Sequence, residues 1–143
     1  MKKKIEIKYF NGPEELKKID VGDWIDLRAA ENVRLSSGSF GMIHLGIAIK
    51  LPKGYEAILA PRSSTYRKYH IIPANGIGII DSSYCGDMDE WCMPVIAMRG
   101  TFIRRGDRIC QFRIQKKQPT IKFVRKEHLS GKNRGGFGST GRA

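Results

Sequence analysis

The sequence predicts an all-β domain, a sandwich or a barrel, and three observations predict it. Short apolar runs recur with a period of two. Pro or Gly turn signals separate almost every pair of them: Gly38, Pro52-Lys53-Gly54, Gly100 and Gly106-Asp107. Helical periodicity is almost absent. Many short strands at regular spacing can bury their apolar faces only against one another, as sandwiches and barrels do. The 143 residues suffice for one domain with its own core and hardly for two.

Taken in order, KIEIKYF sets Ile5, Ile7 and Tyr9 against charges and reads as a half-buried strand. PEELKK, 13 to 18, is expected to form one short helical turn with Pro13 at its start. IDLRAAE, 25 to 31, is strand-like. It places Asp26 and Arg28 on one face, suited either to a cross-strand salt bridge or to a metal-facing carboxylate. IHLGIAIK, 43 to 50, reads as a strand with Ile43, Leu45, Ile47 and Ile49 on one face, and YEAILA, 55 to 60, as another.

APRSSTYRKY, 60 to 69, ends a strand and opens a helical turn capped by Ser63 or Ser64. Free N–H groups, two hydroxyls and Arg62 make a competent phosphate site; the plainer alternative is an ordinary capped turn. GIGII, 76 to 80, reads as a buried strand that stops at Asp81, with Tyr84 and Gly86 close behind. A carboxylate and a ring at a strand mouth suit a general base and a stacking contact. Equally, the Asp can hydrogen-bond its own turn while the Tyr covers the strand end. VIAM (95 to 98), RICQFRI (108 to 114) and TIKFVR (120 to 125) complete the strands. Gln111 shares a face with Ile109 and so needs a polar partner.

From Ser130 the composition changes. SGKNRGGFGSTGRA carries five glycines and one large apolar residue. It cannot pack a core of its own and is expected to be mobile. The expected organisation is therefore one β domain over 1–130 and a C-terminal lid segment over 131–143. Within the tail, RGGFGSTG offers glycine backbone, two hydroxyls and an Arg, the parts of a phosphate cradle, without the Lys or spacing of a P-loop.

Composition narrows the classes. Hydrophobic residues are 41% and charged residues 28%, as in ordinary soluble domains. No apolar run has the form of a signal peptide or the length of a membrane span. Cys85, Cys92 and Cys110 are odd in number, no C-x-x-C occurs, and His44, His70 and His128 are scattered. Neither a disulfide framework nor a zinc site is read, and a reducing cytoplasm is the expected compartment. The net charge of +12 suits a nucleic-acid binder or an enzyme that gathers polyphosphates. The basic residues are spread along the chain and aromatics are not interleaved with them, so most of this charge reads as solvated β-surface.

Five segments in this order resemble the motifs of the trimeric deoxyuridine triphosphatase (dUTPase) family: IDLRAAE, PRSSTY, NGIGIIDSSYCG, GDRICQF and RGGFGSTG. The resemblance covers residues 22 to 141. It implies a jelly-roll-like β fold and a homotrimer whose subunits share each active site. It also implies Mg²⁺-dependent hydrolysis of dUTP to dUMP and pyrophosphate, which keeps uracil out of DNA and supplies dUMP for thymidylate synthesis.

By position in the motifs, Asp81 is the implied base that activates water at the α-phosphorus, and Tyr84 stacks on the deoxyribose. Asn75 and the backbone at Gly78 and Ile80 read uracil. Arg62, Ser63, Ser64 and Gln111 hold phosphates, and Asp26 meets the metal through water. Arg134, Ser139 and Thr140 close over the γ-phosphate with Phe137 capping the base, and Gly138 is a further substrate-binding residue. The chain departs from the family pattern at Trp24, Ser83 and Cys85, and in the longer stretch DMDEWCMPV, 87 to 95. There Trp91 is either a second candidate cap or, as favoured, a core or interface residue. Two other functions fit the same fold: a nucleotide-binding regulator with a protein or nucleic-acid partner, and a deoxycytidine triphosphate deaminase. The deaminase's downstream Glu pattern is missing.

Overall fold

The computed structural model describes residues 2–11, 14–18 and 20–138. Among these residues eleven strands and one five-residue helix follow in order. They are β1 (Glu6–Tyr9), β2 (Ile25–Arg28), β3 (Val33–Leu35), β4 (Phe40–His44), β5 (Ile47–Lys50), β6 (Tyr55–Pro61), α1 (Thr65–Tyr69), β7 (Ile71–Pro73), β8 (Gly78–Ile80), β9 (Cys92–Ala97), β10 (Thr101–Ile103) and β11 (Arg108–Lys116). All pairings are antiparallel. The largest sheet runs β2-β11-β6-β8, a second runs β4-β9-β7, and two-stranded pairs join β1 to β5 and β3 to β10.

Alternation builds one core from these sheets. Ile43, Met93, Val95, Ala97 and Ile71 point inward from the three-stranded sheet; Leu27, Ala57, Leu59, Ile109 and Phe112 point inward from the four-stranded one. The opposite face of the three-stranded sheet is also apolar. Phe40 stands across from Ile96 and Met42 across from Pro94, and Phe40, Met42 and Ile72 are exposed. Trp91 lies in the core with no exposed surface. Its ring meets Phe112 edge-on, with centroids 5.2 Å apart.

Four expectations are corrected. Residues 14–18 carry no helix, although Leu16 packs on the core and its N–H donates to the Tyr9 hydroxyl. Tertiary packing, not helical propensity, sets that segment. The run 43–50 is two strands, not one. The chain bends at Gly46, whose φ of 71° is the left-handed region that glycine enters without strain. There it leaves the three-stranded sheet for the pair with β1, and the four isoleucine and leucine side chains stay buried across the bend.

GIGII is not a buried strand. It is the edge β8, with Ile77 48% and Ile79 57% exposed, and only Ile80 packs on the core. An isolated apolar run does not reveal whether one face or both are covered. Finally, TIKFVR forms no strand, and Ile121, Phe123 and Val124 are exposed. Among the described residues, regular structure ends at Lys116.

Candidate active site

The polar residues singled out in the sequence gather at two places. The first is where β2, β11 and the end of β6 meet. Ladder register puts Asp26 directly opposite Gln111, and Gln111 opposite Ala60. Arg62 follows β6 at once. Its Nε lies 3.0 Å from Asp26 Oδ1, and Arg108 Nη1 lies 3.8 Å from Oδ2. Gln111 Nε2 donates to the Pro61 carbonyl at 3.2 Å. Of the two sequence readings of Asp26, the cross-strand salt bridge is the arrangement seen. One carboxylate between two guanidiniums leaves a half-buried cluster with excess positive charge, well suited to oxyanions.

The turn into α1 differs from expectation. Ser64 occupies the N-cap position but makes no side-chain cap bond. Thr65 closes the turn instead: its Oγ1 accepts from Arg62 N at 2.8 Å and donates to the Ile109 carbonyl at 3.0 Å. Thr65 N–H is itself bonded to the Arg62 carbonyl, so fewer N–H groups are free than the sequence suggests. Ser63 is exposed and Ser64 half-buried. Thr65 and Arg108 were not among the sequence candidates. A Thr directly after the two serines was the available signal for the first; nothing local marks the second.

The second place is the mouth of β8. Asp81 is fully exposed, and its Oδ1 accepts the Ser83 N–H at 2.8 Å. Tyr84 N–H returns to the Asp81 carbonyl at 3.0 Å. The Ser83 N–H, then the Ser83 side chain and more weakly Lys117, hold the Asp81 carboxyl below the usual carboxylate range. The Asp therefore does hydrogen-bond its own turn, and that bond keeps it ionised and aimed.

The Tyr84 hydroxyl donates to the Glu90 carbonyl at 2.8 Å. Burial, then the carboxylates of Asp89 and Glu90 with Cys92 between them in effect, raise its pKa. The loop is tied further by Gly86 N–H on Asp89 Oδ2 at 2.8 Å and by Lys8 on Asp87 at 3.0 Å. Asn75 lies in the exposed turn between β7 and β8, its carbonyl accepting Ile77 N–H at 2.9 Å. A side chain at Gly78 would start 3.1 Å from the Leu59 Cβ, so the backbone runs close to β6 here. Within the described residues β8 pairs only with β6, which leaves the backbone groups of its other edge for a ligand.

The two places do not touch within one chain. Ile80 pairs with Ala57, so Asp81 comes level with Glu56, whereas Arg62 lies beyond the opposite end of β6. Six residues of extended chain separate them, about 20 Å. Arg134, Phe137 and Gly138 are exposed, Phe137 with φ 52°, and no regular element holds them. Ser139 and Thr140 lie outside the described residues.

Antiparallel strands around one core, with a carboxylate fixed at a strand mouth and a separate guanidinium cluster, define a jelly-roll-like β protein equipped for a polyanionic ligand. The dUTPase family model matches residues 18–141. The SPbeta prophage-derived deoxyuridine 5'-triphosphate nucleotidohydrolase of Bacillus subtilis (strain 168) is 49% identical over 138 residues, covering 96% of this chain and 97% of that one. The deoxyuridine 5'-triphosphate nucleotidohydrolase of Neorickettsia sennetsu is 38% identical over 121 residues, with 82% and 80% covered. The fold matches the Staphylococcus bacteriophage 80alpha dUTPase solved with dUPNHPP, at TM-score 0.80 and 21% identity over 98% of this chain and 99% of that one. The chain belongs to the dUTPase family.

Proposed function

We infer that this protein hydrolyses dUTP to dUMP and pyrophosphate. The observation that carries the reading is Asp81: exposed, ionised and fixed by its own turn beside Tyr84 and the free edge of β8. In this reading Asp81 accepts the proton of a water placed in line with the α-phosphorus. The Tyr84 ring, pinned through its hydroxyl, lies against the deoxyribose and leaves no space for a 2′-hydroxyl. Asn75 and the backbone of Gly78 and Ile80 bind the uracil edge. Arg62, Ser63, Ser64 and Gln111 bind phosphate oxygens, and the segment 131–143 acts as a lid, with Arg134, Ser139 and Thr140 on the γ-phosphate, Phe137 over the base and Gly138 also against the substrate.

The residues fit Mg²⁺ on the triphosphate. Asp26 supplies hard oxygen donors, but both oxygens already face guanidiniums, so it reaches the ion through water. When bound, the ion offsets phosphate charge and polarises the phosphoryl group.

The working unit in this reading is a homotrimer in the cytoplasm. The apolar outer face at Phe40, Met42 and Ile72, together with exposed Ile121, Phe123 and Val124, supports assembly. So do two half-sites too far apart to serve one substrate in one chain. Three unpaired cysteines suit a reducing compartment, and no helix among the described residues is long and apolar enough to cross a membrane.

The test is incubation with each deoxynucleoside triphosphate and UTP in the presence of Mg²⁺, scored for pyrophosphate. dUTP alone should yield it rapidly. Bound but uncleaved dUTP would point instead to a nucleotide-binding regulator.

A further inference from the structure

We propose that His44, Glu90 and Cys92 form a binding site for a zinc-type transition-metal ion, separate from the triphosphate site. Sequence spacing hides it, because the histidine and the cysteine are far apart and no paired-cysteine motif announces them. The β4–β9 ladder brings them together. His44 and Cys92 are direct cross-strand partners, and Glu90 folds back over them from the loop before β9.

Cys92 Sγ lies 3.4 Å from His44 Nδ1, and Glu90 Oε1 lies 3.0 Å from the same nitrogen. All three donor atoms fall within 4.8 Å of one another. Around a tetrahedral ion with ordinary Zn–S, Zn–N and Zn–O bonds, such ligand pairs stand about 3.4–3.6 Å apart. The two distances to His44 therefore need only a few tenths of an ångström of relaxation, and the sulfur and the carboxylate lie within 4.8 Å of each other.

The donor set is one sulfur, one nitrogen and one oxygen, a mixture that selects zinc-type ions over Mg²⁺. The second Glu90 oxygen accepts the Gly46 N–H at 2.9 Å, which orients the carboxylate as outer-shell bonds do in established sites. A pocket of about 150 Å³, lined by Glu31, His44 and Glu90 among others, leads to the cluster. It gives an entry path and room for a water as fourth ligand. Glu31 and Glu90 make the locality negative: burial first, then these two carboxylates, push the Cys92 thiol up to about 11.

On binding, the Cys92 S–H bond breaks, the sulfur lone pair forms the metal bond and the proton goes to solvent. The neighbouring consequence is mechanical. The Glu90 carbonyl accepts the Tyr84 hydroxyl, so an ion on the Glu90 side chain braces the loop that holds Asp81 and Tyr84.

Titration of the metal-stripped, full-length protein with Co²⁺ tests the site. The expected result is one ion per chain, with tetrahedral visible bands, a thiolate charge-transfer band and release of protons. Cys92→Ser should abolish the charge-transfer band. His44→Ala should weaken Zn²⁺ binding at least about 10-fold, the loss already seen when a mere outer-shell partner is removed. A wild-type protein that binds no Co²⁺ overturns the proposal. So does a charge-transfer band that persists in Cys92→Ser, since that thiolate would belong to Cys85 or Cys110.

Discussion

The guanidinium cluster and the β8 mouth solve opposite problems. Asp26, Arg62, Arg108 and Gln111 are half-buried or anchored on neighbouring strands, and their positions follow from ladder register. The sheet preorganises them, so they are set before any ligand arrives. Asp81 is fully exposed, and its place depends on two hydrogen bonds inside its own turn. One region holds charge where it is wanted; the other leaves a carboxylate wet and ionised so that it can take up a proton. A catalyst for triphosphate hydrolysis needs both. The fold keeps them about 20 Å apart in one chain, so in the proposed reading different subunits supply them to one substrate.

Removing the carboxylate breaks the comparison most severely. Asp81→Asn preserves shape and turn but takes away the proton acceptor. Turnover should fall about 10²-fold or more while dUTP affinity largely survives. Near-wild-type turnover would remove Asp81 from its role.

The separation itself gives a sharper test. Arg62→Ala and Asp81→Asn should each be nearly inactive. Unfolded and reassembled together in equal amounts, they should recover roughly a quarter of wild-type activity, because a site drawing each residue from a different subunit is intact at that frequency. No recovery would place both residues in one chain's site.

A smaller loss is expected at the tail. Phe137→Ala should weaken dUTP use only about 2- to 13-fold, since a stacked ring contributes about 0.5–1.5 kcal/mol beyond its area. Trp91, wholly buried against Phe112, is not available as a cap in the chain described, so its truncation should show in thermal stability instead.

The smallest effect is on pH dependence. The folded Asp81 pKa is lowered, so the ionised form is favoured above the ordinary carboxylate range and lost only as pH falls through the lowered value. The acid limb of kcat/KM, which reports the free enzyme, should accordingly lie below the ordinary carboxylate range. Ser83→Ala removes the side-chain bond but keeps the backbone one, and should move that limb slightly upward. A limb at or above the ordinary range in the parent protein would contradict the turn's role.

Much of this was legible in the sequence because alternation and turn residues act locally. The strands at 6–9, 25–28, 55–61 and 108–116, the turn after Pro61 and the stop at Asp81 all follow from neighbours in the chain. What was hidden depends on partners distant in sequence. Exposure of Ile77 and Ile79 follows from β8 being at a sheet edge, which no property of GIGII records. TIKFVR alternates like a strand but has no strand beside it among the described residues. Thr65 matters through the carbonyl of Ile109, and His44 meets Cys92 only because of the β4–β9 register.

The free margin of β8 carries a liability of its own. Unpaired backbone groups flanked by exposed Ile77 and Ile79 are a template on which another copy's strand can add. Three features restrain that growth: the strand is only three residues long, Gly76 bends the chain away just before it with φ 76°, and charged Asp81 ends it. In the proposed reading, a nucleobase seated on this margin would occupy the same donors and acceptors. Ligand-free protein should thus be the form that clouds first on concentration or warming, and lengthening the apolar run by replacing Asp81 with a β-branched residue should turn a recognition edge into a seed for aggregates.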